Sequence, residues 1–409
     1  NSVTLTTTNN CSIDVDNNDT WNISMYLMGE VGDQLALSLI DSNGSSVGST
    51  THTIRYKGFH YVRVKFNTTA NSDTSRLKIN FHHSGTYFID RLVLTEGDFK
   101  NWYVSPSGSG DGLSSSSPKN SVSAVISDND FNNGDIINVM AGTYQNSNYQ
   151  THTAASGSRN RWNNDWWLKL NTNSVFNDNT RTIDRPLVIR NYVNPSNGNH
   201  DEPLIQFDGK GGIVIGSQTN RVSFIEIAGL KIQGPNDMID FTRAKANRTS
   251  AVTRKSNGTT GVEKQFYHGR GIALWGGTYI NMHNNEVWDT PNSGIRANNA
   301  DYIRIANNKV YETTLWSYNA ESGIVIAQSL NHGATANGSN PVNQNTSGEI
   351  KMRIEGNITY GNVNRIVYFN TSYECVSNGG YDTSKNTYGC GGEDIIKDGS
   401  GCYITRNNY

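Results

Sequence analysis

The chain has 409 residues and a formal charge of −2, with 34 Lys and Arg against 36 Asp and Glu. That balance excludes a global basic field for nucleic acid or an anionic membrane surface, and the lack of any run of about 18 apolar residues excludes a helical membrane span. The length calls for two domains, one of them large. The 55 Asn, 40 Ser, 36 Thr and 40 Gly argue against a helical protein, because these residues favour turns and caps. The 20 Tyr, 12 Phe and 8 Trp argue against disorder.

The opening NSVTLTTTNN carries neither the basic nor the apolar region of a secretory leader, so either a leader has been removed, the favoured expectation, or none was ever there. Residues 1–97 then alternate in short stretches, ISMYLMG, LALSLIDSNG, YVRVKFNTT, RLKINFHH and YFIDRLVL, between Gly, Asn and Ser turns. This pattern predicts a small antiparallel β-sandwich. Its closing GTYFIDRLVLTEG resembles the last strand of jelly-roll carbohydrate-binding modules of polysaccharide-degrading enzymes, which implies a glycan partner. Trp21, Tyr26, Tyr56, Phe59 and Tyr61 supply aromatic mass, for which core packing is the plainer use.

Residues 98–101 form a linker, and residues 102–409 follow a different rule. WYVSPSGSGDGL to DIINVMAGTY resembles the entry segment of right-handed parallel β-helix proteins, which implies a strand, a Gly/Ser turn, a short capping helix near Ser121 to Ile126 and a second strand. GIALWGGTYINMHNNEVWDTPN is then repeated by SGIRANNADYIRIANNKVYET, with Gly271 to Gly294 and Tyr279 to Tyr302 both 23 positions apart. Periods of about 20 to 30 residues belong to solenoids. Each unit holds three β segments: IAL, YINM and NNEVW; IRA, YIRI and NNKVY; IVI, IKMR and GNITY. In a stack of such three-strand coils, Asn285, Asn308 and Asn357 form an amide ladder. These segments resemble the right-handed parallel β-helix proteins of the pectin-lyase-like superfamily. The resemblance implies an all-β fold, a right-handed parallel β-helix over 102–409 preceded by the sandwich. It implies no single activity, because that superfamily holds lyases, hydrolases, epimerases and non-catalytic adhesins.

Insertions at 145–184, 235–268, 330–348 and around the cysteines interrupt the coils and are expected to wall a groove. Asp289 and Glu312 follow Trp288 and Tyr311 at one repeat position, so they should stack about one strand spacing apart. Two such acids suit a retaining glycosidase, one as nucleophile and one as acid and base, although solvated acids at a strand corner are ordinary. Arg296, outward between Ala273 and Val325, and Glu321 on the next coil form a second candidate. An outward Arg neutralises a uronate carboxylate in lyase chemistry, with His268, His283 or Lys397 nearby as base. Calcium follows only from the resemblance to pectate lyases; no acidic cluster supports it, no metal site is assigned and no cofactor is evident. Trp275, Trp316, Tyr318, Trp166 and Trp167 are the candidate sugar-binding aromatics, with anchoring of the insertions as their structural alternative.

Cys375 and Cys390 bound a Gly/Asn/Ser-rich loop and are a candidate disulfide; zinc is the weaker rival, with no His between them and no C-x-x-C. Sequons stand at Asn10, Asn18, Asn22, Asn43, Asn67, Asn247, Asn257, Asn337, Asn345, Asn357 and Asn370, a number that composition alone would produce. At the end, Tyr403 and Ile404 match Tyr302 and Ile303 and open an unfinished coil, whose bare edge invites a homo-oligomer or filament unless the chain continues. The functional expectation is a secreted or cell-surface protein that binds polysaccharide and degrades it as a lyase or glycoside hydrolase. Its rival is a non-catalytic β-helix rod of a filament or adhesin.

Overall fold

The structure is a computed structural model describing residues 3–6, 12–97, 99–132, 134–147, 149, 165–171, 181–195, 197–217, 219–236, 269–314, 322–327 and 352–362, with four short strands beyond them. Almost every regular element is a β-strand; the one α-helix among the described residues is Val122–Ile126. Ser121 caps it by accepting the N–H of Ala124 at 3.1 Å.

Between Val3 and Glu96 the strands pair antiparallel. One sheet runs Val3–Thr6, Ser72–Phe81, Gln34–Ile40, Ser46–Thr53, with Ile13–Val15 added to Ser72–Phe81; the other runs His60–Asn67, Thr20–Met28, Phe88–Glu96. Strand parity makes their shared core. Leu35, Leu37 and Leu39 of the first sheet are fully buried and join Ile23, Met25 and Leu27 of the second in one apolar cluster. Each such side chain contributes about 1.5–3 kcal/mol by leaving water.

From Asn101 onward three sheets are parallel, and one short antiparallel pair, Tyr381–Asp382 with Thr387–Tyr388, stands apart from them. The first sheet contains Asn101–Val104, Ile136–Val139, Leu187–Asn191, Val222–Ala228, Gly277–His283, Ala300–Ala306, Met352–Glu355 and Tyr403–Arg406. The second contains Gly142–Gln145, Pro203–Gln206, Lys231–Gln233, Glu286–Trp288, Lys309–Tyr311 and Ile358–Tyr360. The third contains Trp166–Leu170, Gly211–Ile215, Arg270–Leu274, Ile295–Asn298, Ile324–Ala327 and Ile395–Lys397. From Ile136 the chain visits first, second and third sheet in unbroken rotation, so equivalent residues pair between successive passes. Ile213, Ile272, Ile295 and Ile324 stand in one line, and Ile280, Val287 and Ile295 from three different sheets share one core cluster.

The asparagine ladder fixes these passes together. Asn285 Nδ2 donates to Asn308 Oδ1 at 3.1 Å and Asn308 Nδ2 to Asn357 Oδ1 at 3.0 Å, and the same oxygens accept the backbone N–H of Asn285 and Asn308. All three are buried.

Two expectations are corrected. Met352, rather than Lys351, lies opposite Ile303, and Tyr403 lies opposite Met352, so the matches to IKMR and to Tyr403–Ile404 shift by one residue. In a period-two strand that shift exchanges the two faces. The 145–184 segment is not insertion throughout, because Trp166–Leu170 within it is a regular strand paired with Gly211–Ile215. The Trp166 ring lies where a Cβ on Gly211 would sit, which requires glycine there.

The antiparallel sheets lie against the outer face of the first parallel sheet. Arg304 Nη1 donates to Phe59 O and Asn307 Nδ2 to Lys57 O, both at 2.9 Å, while Tyr26 donates to Ile183 O at 3.2 Å. No helix among the described residues is long and apolar enough to cross a membrane.

Candidate functional site

The outer face of the second parallel sheet carries one ladder that changes chemistry part-way. Gln145 Nε2 donates to Gln206 Oε1 at 3.3 Å, Gln206 Nε2 to Gln233 Oε1 at 2.9 Å, and Gln233 Nε2 to Asp289 Oδ2 at 3.1 Å. The register position after Gln233 is then occupied by Trp288, Tyr311 and Tyr360. Their rings stack at 6.0 and 4.9 Å, tilted by only 4° and 6°. Stacking turns the ring faces towards one another and leaves edges outward, and Tyr360 is 44% exposed.

Asp289 and Glu312 follow this stack at equivalent positions, both in the left-handed region with φ of 56° and 51°. Such a conformation costs about 1–2 kcal/mol for a residue with a Cβ and turns the chain sharply out of the strand. The two acids do share one ladder, yet their surroundings differ. Asp289 is 6% exposed and accepts from Gln233, whereas Glu312 is open to solvent. Beside them, Lys309 Nζ lies 2.9 Å from Glu286 Oε1 and the Tyr311 hydroxyl donates to the same oxygen at 3.1 Å. Burial would raise the Glu286 pKa, but Lys309, the Tyr311 hydroxyl and Lys231 together outweigh it and hold the carboxyl below its usual range.

On the outer face of the third sheet, Arg296 stands between Ala273 and Val325 as the repeat predicts. The half-buried indole of Trp275 has the Arg270 guanidinium 5.1 Å and the Arg296 guanidinium 5.5 Å from its centre, and Arg296 Nε donates to Asn298 Oδ1 at 2.8 Å. Cations held against a ring occupy the faces a sugar would use. Trp166, expected on a groove, is 8% exposed and packs with Val214, Ala273 and Trp275, while Trp167 packs against the main core and meets Tyr144 edge-on at 5.8 Å. Both anchor the wall. Trp316, Tyr318, Glu321, His268, Cys375 and Cys390 lie outside the described residues.

The outer face of the first sheet holds a charged centre that the sequence reading missed. Glu226 is 1% exposed; its carboxylate accepts the Tyr61 N–H and, at 2.8 Å, Asn281 Nδ2, and lies 3.3 Å from His283 Nε2. Burial alone would raise its pKa, but the neighbouring His283, then His60 and the Asn281 amide hold it at about 2. Burial pushes His60 down to about 3. His283, considered a lyase base, is fully buried here and unavailable to a substrate. Glu226 between Ile225 and Ile227 does show outward parity in sequence, but nothing local says that another sheet covers it.

Asn18, Asn43 and Asn67 are exposed among the sequons, whereas Asn22 and Asn357 are buried at 1% and 0%, with their amides bonded to Gly97 O and Ile305 O. Those two have no room for a glycan in the folded chain, a correction that strand parity and the ladder explain. Asn10, Asn247, Asn257, Asn337, Asn345 and Asn370 lie outside the described residues. Among the described residues no three His, Cys, Asp or Glu side chains converge as metal ligands.

No family model and no curated protein matches the chain. Solved structures similar to it include a CBM4 domain, at 11% identity and a TM-score of 0.19, covering 24% of this chain and 73% of that one. An arabinose-bound GH51 α-L-arabinofuranosidase matches at 12% identity and TM-score 0.23, covering 71% of this chain and half, 50%, of that one. The catalytic domain of a GH87 α-1,3-glucanase in complex with tetrasaccharides matches at 14% identity and TM-score 0.20, covering 97% of this chain and 68% of that one. Likeness at these scores carries no inference about fold or activity.

Proposed function

We propose that the chain is an extracellular polysaccharide-binding protein. In this reading the three parallel sheets close as a right-handed parallel β-helix of the pectin-lyase-like type, residues 102–409, and residues 1–97 form a β-sandwich resembling a carbohydrate-binding module, joined through 98–101. The observation that carries it is the row Trp288, Tyr311 and Tyr360 with Asp289 and Glu312 at its side. Tyr360, the exposed last ring of the stack, offers apolar contact to sugar C–H groups, while Glu312, Glu286 and Lys309 offer acceptors and a donor to hydroxyls. Degradation requires both acids, Glu312 from solvent and Asp289 from its pocket. The burial of Asp289 and its bond to Gln233 favour the second reading, a glycan-binding rod of a surface filament or adhesin without catalysis.

The test is turnover and retention on a panel of soluble polysaccharides. If the chain cleaves one, Asp289→Asn and Glu312→Gln should each lower turnover at least about a hundredfold with folding intact. Cleavage unchanged in both variants moves the chemistry elsewhere. Retention in affinity electrophoresis without cleavage supports the rod, and neither retention nor cleavage on any polysaccharide overturns the reading.

A further inference from the structure

We propose a second ligand site, a cleft between the strands Thr20–Met28 and Phe88–Glu96 and the outer face of the first parallel sheet, which takes a single uncharged sugar unit; its ligand class rests on the glycan-binding reading. The cavity has a volume of about 310 Å³, at the small end of the range of about 300–1,000 Å³ in which small-molecule sites fall.

One wall is built at a conformational cost. Phe224, Tyr279 and Tyr302 sit on successive passes of the first sheet, each in the left-handed region with φ of 56°, 54° and 50°. The strand pairing skips them, running from Ser223 with Thr278 directly to Ile225 with Ile280. Their rings stack at 5.0 and 4.7 Å, and Tyr279 and Tyr302 line the cavity. A side chain with a Cβ is strained in the left-handed region, and irregularities of this kind re-aim side chains. The core does not need them, since Ile225, Ile280 and Ile303 fill it from the adjacent positions. The repeated distortion serves the outer face, where the cleft is.

The facing wall comes from the antiparallel sheets. Phe59 lies 6.4 Å from Phe88, and Phe88 is 49% exposed on the strand that also brings Asp90 and Arg91 to the cavity. The charges around the cleft decide the ligand. Arg304 is held by Glu355 at 2.8 Å, and Arg91 lies 3.8 Å from Asp184. Arg353 and Asp90, both exposed, remain at the lining and form no ion pair among the described residues. Three guanidinium groups therefore meet three carboxylates, so a uronate or sulfate finds no net positive field. Vicinal hydroxyls, which donate and accept, match a lining that carries both the Arg353 guanidinium and the Asp90 carboxylate.

Titration calorimetry of the full chain against cellotriose, maltotriose, mannotriose, galactotriose and xylotriose, with trigalacturonate as the charged control, tests the site. The expected result is saturable binding of at least one neutral trisaccharide, weakened at least tenfold by Arg353→Ala and by Tyr302→Asn, Asn being a residue that tolerates the left-handed conformation. Circular dichroism establishes that each variant is folded, and Arg353→Ala, at an exposed position, reports even if Tyr302→Asn does not fold. Binding lost with Tyr360→Ala but unchanged in the cleft variants overturns the cleft and supports the second-sheet site. The reverse pattern supports the cleft while removing the second-sheet site. Tighter binding of trigalacturonate overturns the uncharged class, and no binding of any trisaccharide overturns the cleft as a sugar site.

Discussion

The outer faces of the first and second parallel sheets arise from the same winding of the chain and carry polar residues at the same alternate positions, yet they end in opposite surroundings. On the first, the antiparallel sheets cover Glu226, His283 and Arg190 and leave each of them 4% exposed or less. On the second, Glu312 and Tyr360 stay in solvent. An outward charge is cheap when water reaches it and demanding when it does not, because a buried charge must then be matched by partners. The covered face therefore behaves as an interior, with Tyr61, Asn281 and His283 arranged around Glu226, and the open face behaves as a surface on which side chains are available for ligands. The lesson is that the repeat sets where a side chain points, and the neighbouring layer sets what that direction means.

The comparison breaks most sharply at Glu226. Glu226→Ala should cost about 3–5 kcal/mol, since it strands buried donors, and should lower the urea midpoint by far more than Glu312→Ala, which should stay within about 0.5 kcal/mol. Equal effects would mean that the first face is not covered. Acid should act on the same centre. His60 titrates near 3 in the fold against an ordinary 6.5, and Glu226 near 2 against 4.5, so the unfolded chain binds more protons in both windows. Stability should then fall as pH drops below about 6.5 and continue falling towards 3, by on the order of several kcal/mol in total, in denaturation midpoints measured across that range. A flat profile between pH 6.5 and 4 would remove His60 from the account.

The inward layer offers an intermediate case. Asn308→Ala removes the acceptor of the Asn285 N–H and breaks two ladder bonds, and should cost about 1–3 kcal/mol for the unsatisfied group with no change in ligand affinity. The smallest effect belongs to the open face. Tyr360→Ala should leave the melting temperature within a few degrees and weaken retention on a bound polysaccharide about tenfold, near 1.4 kcal/mol.

What the sequence by itself determined is periodic. The 23-residue repeat named the strands of three passes, placed Ile272, Ile295 and Ile324 in line, paired Trp288 with Tyr311 and stacked Asn285, Asn308 and Asn357, because parallel register and strand parity are local rules that each unit restates. Where the units lost their likeness the reading slipped by one residue at Met352 and took the strand at Trp166 for insertion. Only the tertiary structure decided what covers each outward position. It buried Asp289 beside Gln233, set Trp275 against Arg270 and Arg296, and laid Tyr61 over Glu226, contacts between residues 5 to 165 positions apart, of which only Trp275 with Arg270 lies within one unit. Parity is fixed by the geometry of one strand, whereas burial and charge matching depend on which distant surface arrives, and that follows from the packing of whole sheets.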